Sequence, residues 1–274
     1  MNKKVIIVTG ASSGMGKDFA LQLLKQGHKV YGLARRVDQM QDIISAGGKA
    51  IAMDVTEESQ IQSAIDTVLS EQGYIDVLIN NAGFPVYGPV EEVPISEAKR
   101  QFEVNIFGLA SITQKVIPGM RERRSGKIIN ISSMGGKMYT PLGAWYHATK
   151  HALEGWSDCL RIELATYGID VVIVEPGGIK TEFSDVFLNN FYGDAQNGPY
   201  ASMMQIIAKS TREMSEKNQL SDVSVITNLI DKAVNSSKPK TRYVAGAYAK
   251  PLMWMRKYLG DRIFDRIVMS TVKS

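Results

Sequence analysis

The sequence predicts an α/β protein: a doubly wound parallel sheet of about seven strands with helices on both faces. Three observations predict it. Short β-branched runs alternate with amphipathic stretches along the 274 residues. Nearly every run is unbroken and apolar rather than alternating, as in strands covered on both faces. The first run ends in a glycine-rich turn that opens directly into a helical pattern.

In chain order, the expected strands are Lys4–Thr9, Lys29–Ala34, Ala50–Met53, Val77–Asn80, Lys127–Ile131, Asp170–Val174 and Arg242–Ala245. The expected helices are Met15–Gln26, Asp38–Ile44, Glu57–Gln72, Ser96–Met120, Trp145–Tyr167 and Ser221–Val234. Two regions break the rhythm. Residues 182–210 hold Asn189-Asn190, Gly193 and Asn197-Gly198-Pro199, the composition of a long insertion, read as a substrate lid or else a disordered loop. The tail, 247–274, is amphipathic: Leu252, Met255 and Leu259 share one face, and Ile263, Phe264, Ile267 and Val268 continue the apolar content. It reads either as helix packed over a pocket or subunit interface, or as a peripheral membrane contact through Trp254 and its basic neighbours.

Composition narrows the function classes. A chain with 44% hydrophobic and 22% charged residues is not mainly disordered, collagen-like or coiled-coil, and its length suits a single catalytic domain spanning residues 1–274. The single cysteine, Cys159, excludes an intramolecular disulfide and multi-cysteine metal sites, and it fits a buried helix face. The net charge of +4 is too mild for nucleic-acid binding, and residues 242–274 alone carry seven basic against two acidic residues. The run Val5-Ile6-Ile7-Val8 is too short for a secretory h-region of roughly 7–15 residues, so a cytoplasmic protein is expected. His147 and His151, four apart, have no third ligand nearby in sequence, so no metal site is expected. Met134, Met138, Met203 and Met204 fall near the fifth strand or in the insertion, where they would suit an adaptable apolar pocket.

The turn Thr9-Gly10-Ala11-Ser12-Ser13-Gly14-Met15-Gly16 follows the first strand. Gly10 permits the sharp exit, Gly14 the approach of a pyrophosphate, and Gly16 close packing of helix on strand. The helix N-terminus then offers N–H groups and a positive dipole end to phosphates. Met15 and Asp18 break the P-loop pattern. After the second strand, Ala34 stands where a ribose-binding acid is usual, and Arg35 and Arg36 follow. Guanidinium groups there suit a 2′-phosphate and favour NADP(H) over NAD(H).

Tyr146 and Lys150 are four apart at the start of a helical pattern, so they share a face. A lysine ammonium there would lower the pKa of the phenol, which ordinarily titrates near ~10, too high for acid–base work at neutral pH. Ser132 and Ser133 close the fifth strand, and a hydroxyl there can hold a substrate oxygen against the tyrosine.

With these motifs assembled, the chain resembles the classical short-chain dehydrogenases/reductases. The glycine turn, Asp54-Val55, Asn80-Asn81-Ala82-Gly83, Asn105, Ser133, Tyr146-x-x-x-Lys150 and Pro176-Gly177-Gly178-Ile179-Lys180-Thr181 come in family order, and Tyr146 lies thirteen residues after Ser133. The chain as a whole looks closest to the hydroxysteroid and retinol dehydrogenase-like branch. The resemblance implies a Rossmann fold and an NADP(H)-dependent alcohol dehydrogenase or carbonyl reductase with a hydrophobic alcohol or carbonyl substrate. It implies Tyr146 as general acid–base, Ser133 polarising the carbonyl, Lys150 on the nicotinamide ribose, and Asn105 holding a relay water. Gly10, Ser12, Ser13, Gly14, Met15, Gly16, Arg35, Asp54, Val55, Asn81, Ala82, Gly83, Pro176, Gly177 and Thr181 would line the cofactor. Dimers or tetramers built on the helices Ser96–Met120 and Trp145–Tyr167 are also implied. The competing expectation is a non-catalytic NADP(H) sensor acting through a partner or a membrane surface at the basic tail.

Overall fold

The computed structural model describes residues 3–181, 187–188 and 191–272. Seven parallel strands, β1 (Val5–Thr9), β2 (Lys29–Ala34), β3 (Lys49–Ala52), β4 (Val77–Asn80), β5 (Gly126–Ile131), β6 (Ile169–Pro176) and β7 (Arg242–Ala245), pair in the order β3-β2-β1-β4-β5-β6-β7. This is the expected Rossmann sheet, and its strands fall within two residues of the expected bounds. The helices are α1 (Gly14–Lys25), α2 (Gln41–Ser45), α3 (Glu58–Gln72), α4 (Ile95–Phe102), α5 (Leu109–Glu122), α6 (Ala144–Ala165), α7 (Ala201–Glu216), α8 (Ser224–Asn235), α9 (Ala249–Tyr258) and α10 (Asp261–Ser270).

Strand alternation builds two cores from one apolar run. Ile6 and Val8 of β1, Val77 and Ile79 of β4 and Val172 and Val174 of β6 face α1 and α8 through Phe19, Leu23, Ile226 and Ile230. Val5, Ile7, Leu78, Ile128 and Val171 face the other way, onto Ile61 and Ile65 of α3, Ile112 and Val116 of α5 and Leu160 of α6. Successive strand residues therefore serve opposite layers, which is why these runs lack polar alternation. A buried lysine fixes the far end of α8: Lys127 Nζ donates to the carbonyls of Ala233 at 2.6 Å, Val234 at 3.1 Å and Ser236 at 2.8 Å. Its charge meets the negative end of the helix dipole.

The structure corrects four expectations. The helix expected over Ser96–Met120 is two helices joined by a π-helical turn, Glu103–Gly108. A Cβ on Gly108 would lie 2.3 Å from the Val55 carbonyl oxygen, so a close approach of backbones sets this junction. The insertion is not irregular throughout, because α7 occupies its second half, while residues 182–186 and 189–190 lie outside the described residues. The helix expected from Ser221 begins at Ser224. Cys159 is exposed: it lies off the stripe of Leu153, Ser157, Leu160 and Leu164 that α6 buries.

The tail forms α9 and α10 and packs by its apolar side. Phe264, fully buried, and Val268 join Met138 in a third cluster, with Met134, Tyr139, Leu252 and Met255 against it. The Tyr139 and Phe264 rings meet edge to face at 5.2 Å, and the Tyr139 hydroxyl donates to Asp265 at 2.8 Å. The inner face of the tail is thus packed on the turn that follows β5. Its outer face keeps Trp254 and Tyr258 at 57% and 61% exposed, with Lys257 over the Tyr258 ring. Among the described residues no helix is long and apolar enough to cross a membrane. Removing the ring in Phe264→Ala should weaken the docking of the tail by about 3–5 kcal/mol. Limited proteolysis should then cleave residues 249–272 faster than in the wild type while the core melts at an unchanged temperature. Equal cleavage rates would show that another contact holds the tail.

Candidate active site

The site lies where the order of the sheet reverses, between β1 and β4, at the carboxyl ends of the strands. Thr9, the last residue of β1, joins the two. Its Oγ1 accepts the Asn81 and Ala82 N–H groups, both at 3.0 Å, while Asn81 Nδ2 donates to the Thr9 and Gly10 carbonyls at 3.1 and 3.3 Å. Gly10 leaves the strand with φ of +67°, and Gly14 enters α1 with φ of +53°. A Cβ on Gly16 would sit 2.4 Å from the Gly10 carbonyl oxygen, so Gly16 packs the turn rather than lining the cleft.

A cleft of about 350 Å³ opens over this turn. Of the residues expected along a cofactor, Gly10, Ser12, Ser13, Gly14, Met15, Arg35, Asp54, Val55, Asn81, Ala82, Gly83, Tyr146, Lys150 and Thr181 line it. The cleft fits a dinucleotide. Ser13 caps α1 with no side-chain bond to its N–H groups, and the first turn holds no acid, so a positive helix end faces the cleft. Two arginines stand beside it: Arg36 Nη2 donates to Ser13 Oγ at 3.3 Å, and Arg35 lies 3.8 Å from Asp54.

Pro176 and Gly177 do not line the cleft. Gly177 N–H bonds the Ala245 carbonyl, and a Cβ there would meet the Ala247 carbonyl oxygen at 2.3 Å, so this pair joins β6 to the chain leaving β7. Phe84, Arg100 and Val104 do line it and were missed. Arg100 and Val104 come from α4 and the π-helical turn, which carry no glycine or charge motif to mark them. Arg100 stacks over the Phe84 ring at 4.7 Å.

At the inner end, Tyr146 and Lys150 rise from the first turns of α6, and Ser133 begins the turn after β5. Ser133 hydrogen-bonds the Tyr146 phenol, and its Oγ accepts the Gly135 N–H at 3.0 Å. Lys150 Nζ donates to the Ile131 carbonyl at 2.9 Å and lies 5.9 Å from the centre of the Tyr146 ring. Burial dominates both titrations. It pushes the phenol up to about 12, against the Ser133 bond that pulls it down, and pushes the Lys150 ammonium down to about 8. In the protein alone burial outweighs the lowering expected from the lysine.

Asn105 lies in the π-helical turn, a geometry frequent at functional sites. Its side chain is engaged: Oδ1 accepts the Phe84 N–H at 3.1 Å, and Nδ2 donates to the Phe84 carbonyl at 3.1 Å and Thr149 Oγ1 at 3.2 Å. Asn105 is buried and is not among the residues lining the cleft, whereas Ser133 is half-buried at its inner margin beside Tyr146. His147 is likewise committed. Nδ1 meets the Gly135 carbonyl at 2.9 Å and Nε2 accepts the Thr140 N–H at 3.1 Å, so both nitrogens are occupied by protein groups. Burial pushes its pKa down to about 4 and keeps the ring neutral.

An aromatic wall stands over Tyr146. The Tyr87 ring lies 5.7 Å from it, Phe187 meets Tyr87 edge to face at 4.6 Å, and Phe191 stacks on Phe187 at 5.5 Å. Of the four methionines expected near a pocket, Met138 and Met134 belong to the tail cluster beside this turn, and Met204 of α7 is buried.

Residues 4–189 match the family model described as short chain dehydrogenase. The chain is 41% identical over 185 residues to 3-ketodihydrosphingosine reductase of Bacteroides thetaiotaomicron, covering 68% of this chain and 67% of that one. It is 33% identical to the NADPH-dependent 3-dehydrocapnine reductase of Ornithobacterium rhinotracheale, covering 97% and 96% of the two chains. A crystal structure of a short-chain dehydrogenase from Streptomyces avermitilis superposes with a TM-score of 0.81 at 33% identity, over 98% of this chain and 99% of the other. None of these similarities singles out a hydroxysteroid or retinol branch.

Proposed function

Since the chain belongs to the short-chain dehydrogenase/reductase family and is an NAD(P)-dependent oxidoreductase of alcohols or carbonyls, we propose that it uses NADPH to reduce a ketone on an apolar substrate, with Tyr146 delivering the proton. The observation that carries this reading is the convergence of Ser133, Tyr146 and Lys150 at the inner end of a cleft built to hold a dinucleotide. The cofactor, when bound, supplies the hydride. The chain does the rest. The Ser133 hydroxyl and the Tyr146 phenol hold the substrate oxygen between them, and the phenol gives its proton as negative charge develops there. Lys150 places a positive charge beside the phenol and favours the phenolate that proton transfer leaves. Asn105 acts through the backbone: its side chain stabilises the π-helical turn, so a relay water would rest on a main-chain carbonyl there.

Support for NADPH comes from Ala34 at the end of β2, from Arg36 on Ser13 and from Arg35, which also lines the cleft and pairs with Asp54, the carboxylate nearest it. Support for an apolar substrate comes from the Tyr87, Phe187 and Phe191 wall and from the tail cluster packed on the turn after Ser133. The two named relatives act on 3-keto compounds, 3-ketodihydrosphingosine and 3-dehydrocapnine, and we place the substrate of this chain in that class. The homo-oligomer reading rests on apolar side chains turned outward, Ile162 of α6 at 72% exposed and Phe107 of the π-helical turn before α5 at 55%.

Tyr146→Phe should bind NADPH as the wild type does and lose turnover of a long-chain ketone by about 10²–10⁴-fold. Turnover kept in this variant would remove Tyr146 from the chemistry, and absence of turnover in the wild type across ketones and aldehydes would favour the sensor reading. The double variant Arg35→Ala/Arg36→Ala should weaken NADPH binding by roughly 10-fold or more and leave NADH binding nearly unchanged, measured by nicotinamide fluorescence. Equal loss for both cofactors would refute the 2′-phosphate role. Light scattering should find a dimer or tetramer, and Ile162→Glu should shift it toward monomer; a monomeric wild type would end the oligomer reading.

A further inference from the structure

Below Tyr146 and Lys150 lies a buried set of charges that the proposed chemistry does not use. Glu154 stands one helical turn beyond Lys150 on α6 and is 3% exposed, and Glu175, near the end of β6, is 1% exposed. Oε1 of each carboxylate accepts no hydrogen bond, and that of Glu175 has only an ion-pair contact with Arg242. Arg242 of β7 reaches both: Nη2 lies 3.2 Å from Glu154 Oε2 and 2.6 Å from Asp158, and Nε lies 3.5 Å from Glu175. Lys137, from the turn after β5, adds a contact to Glu154 Oε2 at 2.9 Å. Asp158 is shared with Arg161. His147, on the same helix, is neutral.

Two buried carboxylates side by side cannot both ionise cheaply. Burial first, and the neighbouring Glu154 second, push the Glu175 carboxyl up to about 7, while Arg242 and Lys137 pull it down. Glu175 therefore keeps its proton into the neutral range, beside the Glu154 carboxylate that shares Arg242 with it. The Glu154 charge acts on Lys150: burial pushes the ammonium down, and Glu154 is the group that opposes it. Gly136 lets the parts converge, since a Cβ there would lie 2.9 Å from both Glu154 Cγ and Ser132 Oγ and 3.0 Å from the Lys150 carbonyl oxygen. Ser132, which lines the cleft, has a buried hydroxyl with no hydrogen-bond partner.

We propose that Glu154 and Glu175, buried together on Arg242, form a carboxylate pair that acts as a positioning device for Lys150, keeping its ammonium charged inside the buried site and thereby setting the pH range in which Tyr146 works. The last step rests on the Tyr146 and Lys150 roles proposed above; the coupling of the pair to Lys150 does not. A purely structural role, in which Arg242 ties β7 to α6 through Glu154, would move stability and not the titration of Lys150.

The test follows Lys150 itself. In the full chain labelled with carbon-13 at lysine Cε, the Lys150 resonance is assigned by its loss in Lys150→Arg and titrated in the wild type, Glu154→Gln and Glu175→Gln. In Glu154→Gln the Lys150 midpoint should fall by about one pH unit, a tenfold change in its proton affinity. In Glu175→Gln it should fall by less, and the kcat profile should lose an ionisation near pH 7. An unchanged Lys150 midpoint in Glu154→Gln overturns the proposal whatever that variant's stability. If Glu154→Gln does not fold, Glu175→Gln decides: an unaltered kcat profile overturns the proposal, and loss of the ionisation supports it. Full turnover in Tyr146→Phe would instead overturn the acid–base reading while the Lys150 titration still reports the coupling.

Discussion

The site depends on one small clamp, the exchange of hydrogen bonds between Thr9 and Asn81 across the reversal point of the sheet. The Thr9 hydroxyl satisfies two N–H groups after β4, and the Asn81 amide satisfies two carbonyls after β1. These backbone groups lie at the floor of a cleft, where unpaired polar atoms would be costly. The clamp also sets the spacing at which Gly10 meets Ala82: a Cβ on Gly10 would lie 2.9 Å from the Ala82 Cα.

A second polar network carries the constraint into the helices. Asn80 Nδ2 donates to Asn130 at 2.9 Å and to Thr113 of α5 at 3.0 Å, and Asn130 Nδ2 donates to Ser157 of α6 at 2.9 Å. Adjacent strands are thus bonded to the two long helices in the core, close below the turn that holds Ser133. A hydrogen bond fixes direction as well as distance, which apolar packing does not. The position of Tyr146 relative to Ser133 follows from these amides as much as from the packing of α6.

Much of this was legible in the sequence because it rests on local pattern. Unbroken runs such as Val5-Ile6-Ile7-Val8 mark central strands, and the glycine turn and the four-residue step from Tyr146 to Lys150 mark the cleft. What was not legible depends on partners distant in the chain. The break at Glu103–Gly108 arises from the contact of Gly108 with Val55 and from the bonds of Asn105, and neither alters the helical pattern of Ser96–Met120. Helix α7 was masked by the asparagines and glycines that precede it. Glu154, Glu175 and Arg242 carry no common spacing; the register of β6 on β7, Glu175 opposite Val244, and the packing of α6 on the sheet bring them together. The exposure of Cys159 turned on a rotation of α6 that an apolar stripe with tolerant edges does not define.

That misjudged cysteine has a practical consequence. It is the only thiol in the chain, and it stands in solvent on the helix that carries Tyr146 and Lys150, nine residues past the lysine. One maleimide dye or spin label per chain can therefore be attached without engineering the sequence. Ile162, on the outward side of the same helix, is less than one turn away, so the label would sense the approach of a neighbouring copy as well as movements of α6.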